Sequence, residues 1–148
     1  MTAATPAQRD LARWLLMQEL RDSQEAEALP DAAERACQKL CRRVARLVTT
    51  AGCKALLARA LHLATAEFPF LAGVEANPAP DTYLEGLPAR AERVEPSTMR
   101  DALTLVLAGV IMLLATFIGE DLSMRLVRDV WPDAPIREEV SGTQEMQA

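Results

Sequence analysis

Apolar side chains recur every three or four residues along much of the chain, which is the spacing that places them on one face of an α-helix. The clearest pattern lies between Pro30 and Thr49 and follows the i, i+3, i+4, i+7 rule. Its apolar positions are Ala33, Cys37, Leu40, Cys41, Val44, Leu47 and Val48. The pattern predicts a helix over residues 30–49 that turns one apolar face toward a core.

Two further amphipathic helices are predicted, one on either side of this helix. The first begins at Thr5–Pro6, because threonine caps helices and proline suits the first helical position, and it ends between residues 22 and 27. The other spans residues 52–68, between an interruption at residues 50–52 and the helix-stopping Pro69. So short an interruption predicts that the helices beside it form an αα-hairpin.

Residues 69–96 are the least regular part of the chain and contain five of its nine prolines. One short helical turn is expected around residues 81–87. A connection of this length is either functional or mobile. We interpret it as a proline-rich connection inside a single helical domain over residues 1–131.

The last predicted helix begins at Ser97–Thr98, where Thr98 and Asp101 have the spacing of a capping box ahead of an apolar run. It extends to Trp131, which a proline follows. Gly119 lies in the middle of this helix, where glycine is about 1 kcal/mol less favourable than alanine. We therefore predict a kink at Gly119.

Inside this helix, residues 102–118 contain no charged side chain. A helix of this length spans roughly 26 Å, a little less than the ~30 Å hydrocarbon core of a bilayer. A helix that is apolar all round is buried either in protein or in lipid. Charged residues border the run as they would a membrane span, but three amphipathic helices that need a partner favour protein. The predicted fold is all-α, a bundle of four principal helices with this hydrophobic C-terminal helix at or near its centre.

The composition is that of one globular domain, since half of the 148 residues are hydrophobic and a quarter are charged. A net charge of −5 and an aromatic content of 4% argue against a nucleic-acid partner. The N-terminus has no apolar signal segment, so a cytoplasmic location is predicted. Residues 132–148 carry four acidic residues against one arginine and are expected to form a disordered acidic tail.

Five basic side chains within residues 30–49 fall inside roughly 100° of helical arc, away from the apolar face. This basic stripe consists of Arg35, Lys39, Arg42, Arg43 and Arg46. One interpretation is a binding site for an acidic protein partner or an anionic membrane. The other is a solvated face, partly paired with acidic residues from the end of the first helix. Those acidic residues are Glu19, Asp22, Glu25 and Glu27.

A second charged cluster, Glu120, Asp121 and Arg125, follows the predicted kink at Gly119. The two acidic residues are adjacent, so they point about 100° apart on a helix and do not readily share a substrate. Asp121 and Arg125 have the i, i+4 spacing of a surface ion pair, which contributes ~0.2–0.5 kcal/mol. The cluster is either a site at the kink or a structural pairing.

The three cysteines, Cys37, Cys41 and Cys53, are an odd number in a chain without a secretory signal, so no disulfide framework is predicted. Cys37 and Cys41 fall on the apolar face of residues 30–49, where free cysteine packs as a small hydrophobic residue. Redox sensing and half of a metal site are the alternatives, although a zinc site needs about two more ligands. We predict a reducing compartment, no metal and no cofactor.

The single histidine, His62, falls on the polar side of residues 52–68, near Arg59. No feature of the sequence places a serine or cysteine nucleophile next to His62, which argues against a histidine-dependent triad. The chain also contains no phosphate-binding glycine loop, dinucleotide fingerprint or kinase signature. These observations predict that the protein is not an enzyme.

Two segments and a short motif carry a resemblance to other proteins. Residues 51–61 (AGCKALLARAL) and 116–126 (TFIGEDLSMRL), with Trp131-Pro132-Asp133, resemble a family of short, uncharacterised bacterial proteins. The resemblance implies a helical fold and a bacterial origin, and it carries over no activity.

The leading hypothesis is a non-enzymatic regulatory or interaction module that binds an acidic or helical protein partner, with a homodimer as a further option for an apolar surface. The alternative is a membrane-associated or membrane-inserting protein that uses residues 102–118. A third hypothesis is a small-molecule sensor, because helical bundles form apolar pockets between their helices.

Overall fold

The structure, a computed structural model, describes residues 4–21, 29–76 and 83–135. Within these residues it contains five α-helices and a short 3₁₀ helix, so the prediction of an all-α fold is confirmed. The helices are α1 (Pro6–Arg21), α2 (Leu29–Thr65), α3 (Leu87–Ala91), α4 (Pro96–Ile118) and α5 (Glu120–Val130), with the 3₁₀ helix at Pro69–Leu71. The end predicted for the first helix, between residues 22 and 27, lies outside the described residues.

The uncharged run forms most of α4, which packs against α1, α2 and α5. Most of its residues between Met99 and Leu114 are buried, which agrees with the central position predicted for this helix. Gly109 allows a close approach to α2, because a Cβ atom at this position would lie 3.1 Å from the Cβ of Ala60. A larger side chain at Gly109 would therefore push the two helices apart.

A break at Thr49 divides α2 into two helical segments, residues 29–48 and 50–65. In an unbroken helix, Cα atoms 12 residues apart are separated by roughly 18 Å. The Cα atoms of Cys41 and Cys53 are only 5.6 Å apart. The two segments therefore fold back on each other, and the predicted αα-hairpin is confirmed.

The hairpin turns at Thr49 itself, just before the interruption predicted at residues 50–52. Thr49 has φ 65° and ψ 164°, a backbone conformation that glycine adopts far more readily than threonine. Its Oγ1 accepts a hydrogen bond from the N–H of Gly52 at 3.0 Å. This is an N-cap contact, so Thr49 both ends the first segment and begins the second.

The kink predicted at Gly119 is a complete break between α4 and α5. Gly119 has φ 95° and ψ 150°, which is open to glycine but strained for other residues. Its N–H donates to the carbonyl of Ala115 at 2.9 Å, and its carbonyl accepts from the N–H of Ser123 at 3.1 Å. The segment predicted as one helix to Trp131 is therefore two helices.

The capping box predicted from Thr98 and Asp101 is wrong. α4 begins at Pro96, before the predicted start at residues 97–98, and its N-cap is Glu95, whose side chain makes no capping hydrogen bond. The fixed φ of proline suits the first helical position, so the helix begins at Pro96, nearer the N-terminus than predicted.

Glu34 of α2 holds the proline-rich connection in place. Its carboxylate accepts hydrogen bonds from the backbone N–H groups of Tyr83 and Leu84, at 2.6 Å and 2.9 Å. The ammonium group of Lys54 lies 4.5 Å from the ring centroid of Tyr83, within the range of a cation–π interaction. Both segments of α2 therefore contact the connection at residues 83–84 and hold it against the helices.

These contacts also explain why the helical turn predicted around residues 81–87 does not form in its described part. Residues 81 and 82 lie outside the described residues, and residues 83–86 are not helical. An antiparallel bridge joins Glu75 to Glu85, and α3 begins only at Leu87. The backbone N–H groups that a helical turn would need are bonded to Glu34 or to this bridge.

The buried part of the domain continues past its predicted limit at residue 131. Trp131 and Ala134 are only 5% and 9% exposed, and the N–H of Ala134 donates to the carbonyl of Trp131 at 2.9 Å. Residues 136–148 lie outside the described residues, so the disorder of the acidic tail stays a prediction.

Candidate functional site

The basic stripe lies on the first segment of α2, as predicted. Its five side chains differ in their surroundings, because some contact neighbouring elements and others face solvent. The stripe therefore has a paired part (Arg35, Lys39 and Arg43) and an exposed part (Arg42 and Arg46).

Glu19 of α1 binds two members of the paired part. Its side chain is 1% exposed, although it is charged. Lys39 Nζ donates to Glu19 Oε2 at 2.8 Å, and Arg35 Nε donates to Oε1 at 3.3 Å. Arg35 Nη2 also donates to the backbone carbonyl of Glu19 at 2.8 Å. The pairing of the stripe with the end of the first helix is thus observed at Glu19, while Asp22, Glu25 and Glu27 lie outside the described residues.

Trp131 completes the set of donors around Glu19, because its Nε1–H donates to Oε2 at 2.9 Å. Burial raises the pKa of Glu19, but the hydrogen bonds from Lys39 and Trp131 and the positive charge of Lys39 outweigh that effect. The pKa of Glu19 therefore lies below its ordinary value, and the carboxylate stays ionised inside the protein. It joins α1, α2 and the residue that follows α5.

Glu19 could have been placed in the core from the spacing of α1. It follows the buried Leu15 by four residues and Leu16 by three, so it shares their face of the helix. A buried acid at such a position needs hydrogen-bond donors, and the stripe supplies two of them from the partly exposed Arg35 and Lys39. The hydrogen bond from Trp131 could not be predicted from local sequence, because Trp131 lies 112 positions from Glu19 in the chain.

Arg43 is the third member of the paired part. Its Nε and Nη2 donate to Oδ2 of Asp129 at 3.1 Å and 2.6 Å, so it joins α2 to α5. Both side chains are more than one third exposed, and ion pairs of this kind contribute only ~0–1 kcal/mol. The contact orients α5 on α2 more than it stabilises the fold.

Arg42 and Arg46 lie one helical turn apart and are exposed, and neither makes an ion pair with any described residue. Leu47 lies beside Arg46 and is 52% exposed. The prediction that Leu47 belongs to the buried apolar face of the helix is therefore wrong, although its neighbour Val48 is buried. Arg42 and Arg46 share one face of the helix, and Leu47 is exposed about 100° around the helix from Arg46. We call these three exposed side chains together the exposed face.

The second charged cluster remains on the surface. Glu120, Asp121 and Arg125 are all exposed, and no ion pair within 4.0 Å joins any two of these three described residues. Both acidic residues lie in the first turn of α5, where the helix dipole favours negative charge. This preference gives them a structural role, and a binding role for the cluster stays a prediction.

A disulfide joins Cys41 to Cys53, contrary to the prediction that the cysteines are reduced. The turn at Thr49 brings Cys53 from the second segment of α2 against Cys41 in the first, a contact that helical spacing alone does not reveal. Cys37 keeps a free thiol that is buried, and its burial raises the pKa of that thiol. Within the ranges 4–21, 29–76 and 83–135, no three His, Cys, Asp or Glu side chains are grouped as metal ligands. His62 is exposed, as predicted.

No protein-family model, curated protein or solved structure matches the chain. The resemblance of residues 51–61 and 116–126 to short bacterial proteins stays a prediction.

One described helix, α4, is long and apolar enough to cross a membrane by length and composition. In the folded protein, 61% of the most apolar 18-residue stretch of α4 is buried. Helices in the cores of other proteins can be equally long and apolar. The exposed large apolar side chain of α4 is Phe117, which lies at the C-terminal end of the helix and is 66% exposed.

Proposed function

We propose that the protein is a non-enzymatic interaction module whose exposed face binds an acidic, amphipathic helix of a protein partner. The observation that carries the proposal is a pair of exposed arginines one helical turn apart, Arg42 and Arg46, followed in the chain by the exposed Leu47. The arginines provide charge for carboxylates on the partner, and Leu47 provides an apolar contact. Arginine is among the residues enriched where protein interfaces gain their affinity, and an exposed leucine adds apolar area that binding can bury.

The paired part of the stripe supports this role by holding the exposed face in position. Arg35 and Lys39 fix the first segment of α2 to Glu19, and Arg43 fixes it to Asp129. A rigid surface loses less conformational entropy when it binds a partner. The arginines of the exposed face attract an acidic partner. Because the whole chain carries a net charge of −5, much of the remaining surface repels the same partner.

The surroundings of two buried ionisable groups, Glu19 and Cys37, support a role without catalysis. Two side-chain donors of the basic stripe and the indole of Trp131 occupy the carboxylate of Glu19. Burial keeps Cys37 in its thiol form, and the thiolate is the reactive species. Neither group is suited to proton transfer or nucleophilic attack.

Membrane association is the second candidate function, and the exposure of Phe117 at the end of α4 favours it. In this alternative the C-terminal end of α4 contacts lipid and the arginines of the exposed face contact anionic headgroups. The burial of most of α4 against α1 and α2 favours the protein partner instead.

The proposal is tested with a designed helical peptide that has glutamates on one face and leucines on the other. Fluorescence anisotropy at low salt measures its affinity for the wild-type protein and for Arg42→Glu/Arg46→Glu. The matched control is Arg59→Glu/Arg100→Glu, which changes the same charge at two exposed helical positions. We expect at least tenfold weaker binding in the first variant and little change in the control beyond a general effect of charge.

Equal affinities for the wild-type protein and Arg42→Glu/Arg46→Glu would contradict the proposal. Sedimentation with phosphatidylserine vesicles separates the two candidates, because membrane association predicts binding that Phe117→Ser abolishes. Binding to vesicles without binding to the peptide would replace the first candidate with the second.

A further inference from the structure

A cavity of about 240 Å³ lies where α1, the segment after α2 and α4 meet. Four charged side chains line it: Arg9 and Arg13 from α1, Glu67 from the segment after α2 and Asp101 from α4. The two arginines are one helical turn apart, so they lie on the same face of α1. The cavity thus has two positive groups from one helix and two negative groups from other elements.

These opposite charges line one cavity without meeting each other. Among the described residues, no ion pair within 4.0 Å involves Arg9, Arg13, Glu67 or Asp101. This differs from the first segment of α2, where three of five basic side chains have acidic partners. A molecule with one positive and one negative group can satisfy both sides of the cavity at once.

Thr104 gives a second, independent indication of a ligand. It lines the same cavity and is 5% exposed, yet its Oγ1 has no hydrogen-bond partner among the residues that the structure describes. Buried hydroxyl groups in folded proteins almost always have a partner, so one without needs an explanation. A polar group bound in the cavity beside Thr104 would supply the partner.

The remaining wall of the cavity is apolar, and its size limits what fits. Phe68 and Leu105 both line the cavity, and both pack partly against the hydrophobic core. A volume of about 240 Å³ is smaller than the roughly 300–1,000 Å³ of pockets for drug-sized ligands. The ligand is therefore a compact molecule with an apolar part as well as its two charges.

We propose that this cavity binds a zwitterionic amino acid with an apolar side chain. Arg9 and Arg13 bind the carboxylate of the ligand, because guanidinium groups match carboxylates in shape and charge. Asp101 and Glu67 bind its ammonium group, and its side chain contacts Phe68 and Leu105. This site is separate from the exposed face, so the two proposals can fail independently.

Three probes that share one apolar side chain and differ in their charged groups test the proposal. L-Leucine carries both charges, 4-methylpentanoate lacks the ammonium group, and 3-methylbutylamine lacks the carboxylate. Isothermal titration calorimetry on the full chain at pH 7 gives the affinity for each. We expect leucine to bind at least tenfold more tightly than either analogue. Equal binding of all three, or no binding of leucine at millimolar concentration, would overturn the proposal.

Two variants locate the binding on this cavity. Arg13→Gln and Asp101→Asn change exposed positions, so both should keep the unfolding temperature of the ligand-free protein. Each should weaken leucine binding at least tenfold, while Arg59→Gln, an exposed arginine outside the cavity, should bind like the wild type. Arg42→Glu/Arg46→Glu should also bind leucine normally. Unchanged leucine binding in Arg13→Gln would show that leucine binds elsewhere and would overturn the assignment.

Discussion

Trp131 donates its indole N–H to Oε2 of Glu19 at 2.9 Å, across 112 residues of the chain. The contact joins the end of α5 to the end of α1. The same oxygen accepts a hydrogen bond from Lys39 at 2.8 Å, so an indole and an ammonium group share one buried carboxylate. Glu19 is therefore the point at which three distant parts of the sequence are held together.

The Glu19 contacts predict a pH dependence of stability. The pKa of Glu19 is lower in the folded protein than its ordinary value of 4.5, so the unfolded state binds more protons between the two values. The stabilisation from ionised Glu19 is present above pH 4.5 and is lost as the pH falls through the folded value. Glu19→Gln should therefore cost about 2 kcal/mol at pH 7 and progressively less in acid.

Urea unfolding of the wild type and Glu19→Gln between pH 3 and pH 7 measures this difference. Glu120→Gln is the control, because Glu120 is exposed and its loss should change stability by less than ~0.5 kcal/mol at every pH. A difference between the wild type and Glu19→Gln that stays constant over the whole range would contradict the account of Glu19.

The turn at Thr49 predicts opposite effects for two substitutions. Thr49→Gly relieves a backbone conformation that costs a threonine roughly 1–3 kcal/mol of stability. Two smaller effects oppose this gain. The lost N-cap costs a few tenths of a kcal/mol, and the greater conformational freedom of glycine in the unfolded chain costs up to ~1 kcal/mol. Thr49→Val keeps the strained backbone and loses the N-cap bond to Gly52, at a cost of about 1 kcal/mol. Thr49→Gly should therefore be the more stable variant in thermal unfolding, and the reverse order would refute the assigned conformation.

The disulfide predicts that stability depends on redox conditions. It crosslinks cysteines 12 residues apart, and a loop of that length is expected to contribute about 3 kcal/mol by restricting the unfolded chain. Reduction with dithiothreitol should lower the stability of the wild type and of Cys37→Ala, but not that of Cys41→Ala/Cys53→Ala. Thiol titration of the unreduced, unfolded protein should find one free thiol, and three would show that the disulfide does not form.

Local sequence signals were enough to predict several features of the fold. The spacing of apolar residues identifies the first segment of α2, the uncharged run identifies α4 as a central helix, and glycine identifies the break at Gly119. Each of these depends on side chains that are close together in the chain. The position of Thr49 is different, because threonine gives no sign of a positive φ and Gly52, three residues later, is the expected place for a break.

The division of the basic stripe could not be predicted in the same way. Helical spacing places all five side chains on one face, but whether each is paired depends on which helices are its neighbours. Arg43 meets Asp129 across 86 residues of the chain, and Leu47 is exposed although helical spacing places it among the buried apolar residues. The disulfide was missed for the same reason, since Cys53 approaches Cys41 only after α2 folds back.

The most direct test of the account compares two double variants that remove the same charge from the basic stripe. Arg35→Gln/Lys39→Gln takes two donors from the buried Glu19, whereas Arg42→Gln/Arg46→Gln changes only exposed side chains. The measurement is the free energy of unfolding in urea at pH 7. The account predicts a loss of about 2 kcal/mol for the first variant and a change within ~0.5 kcal/mol for the second. Equal effects of the two variants would contradict the division of the stripe into a paired and an exposed part.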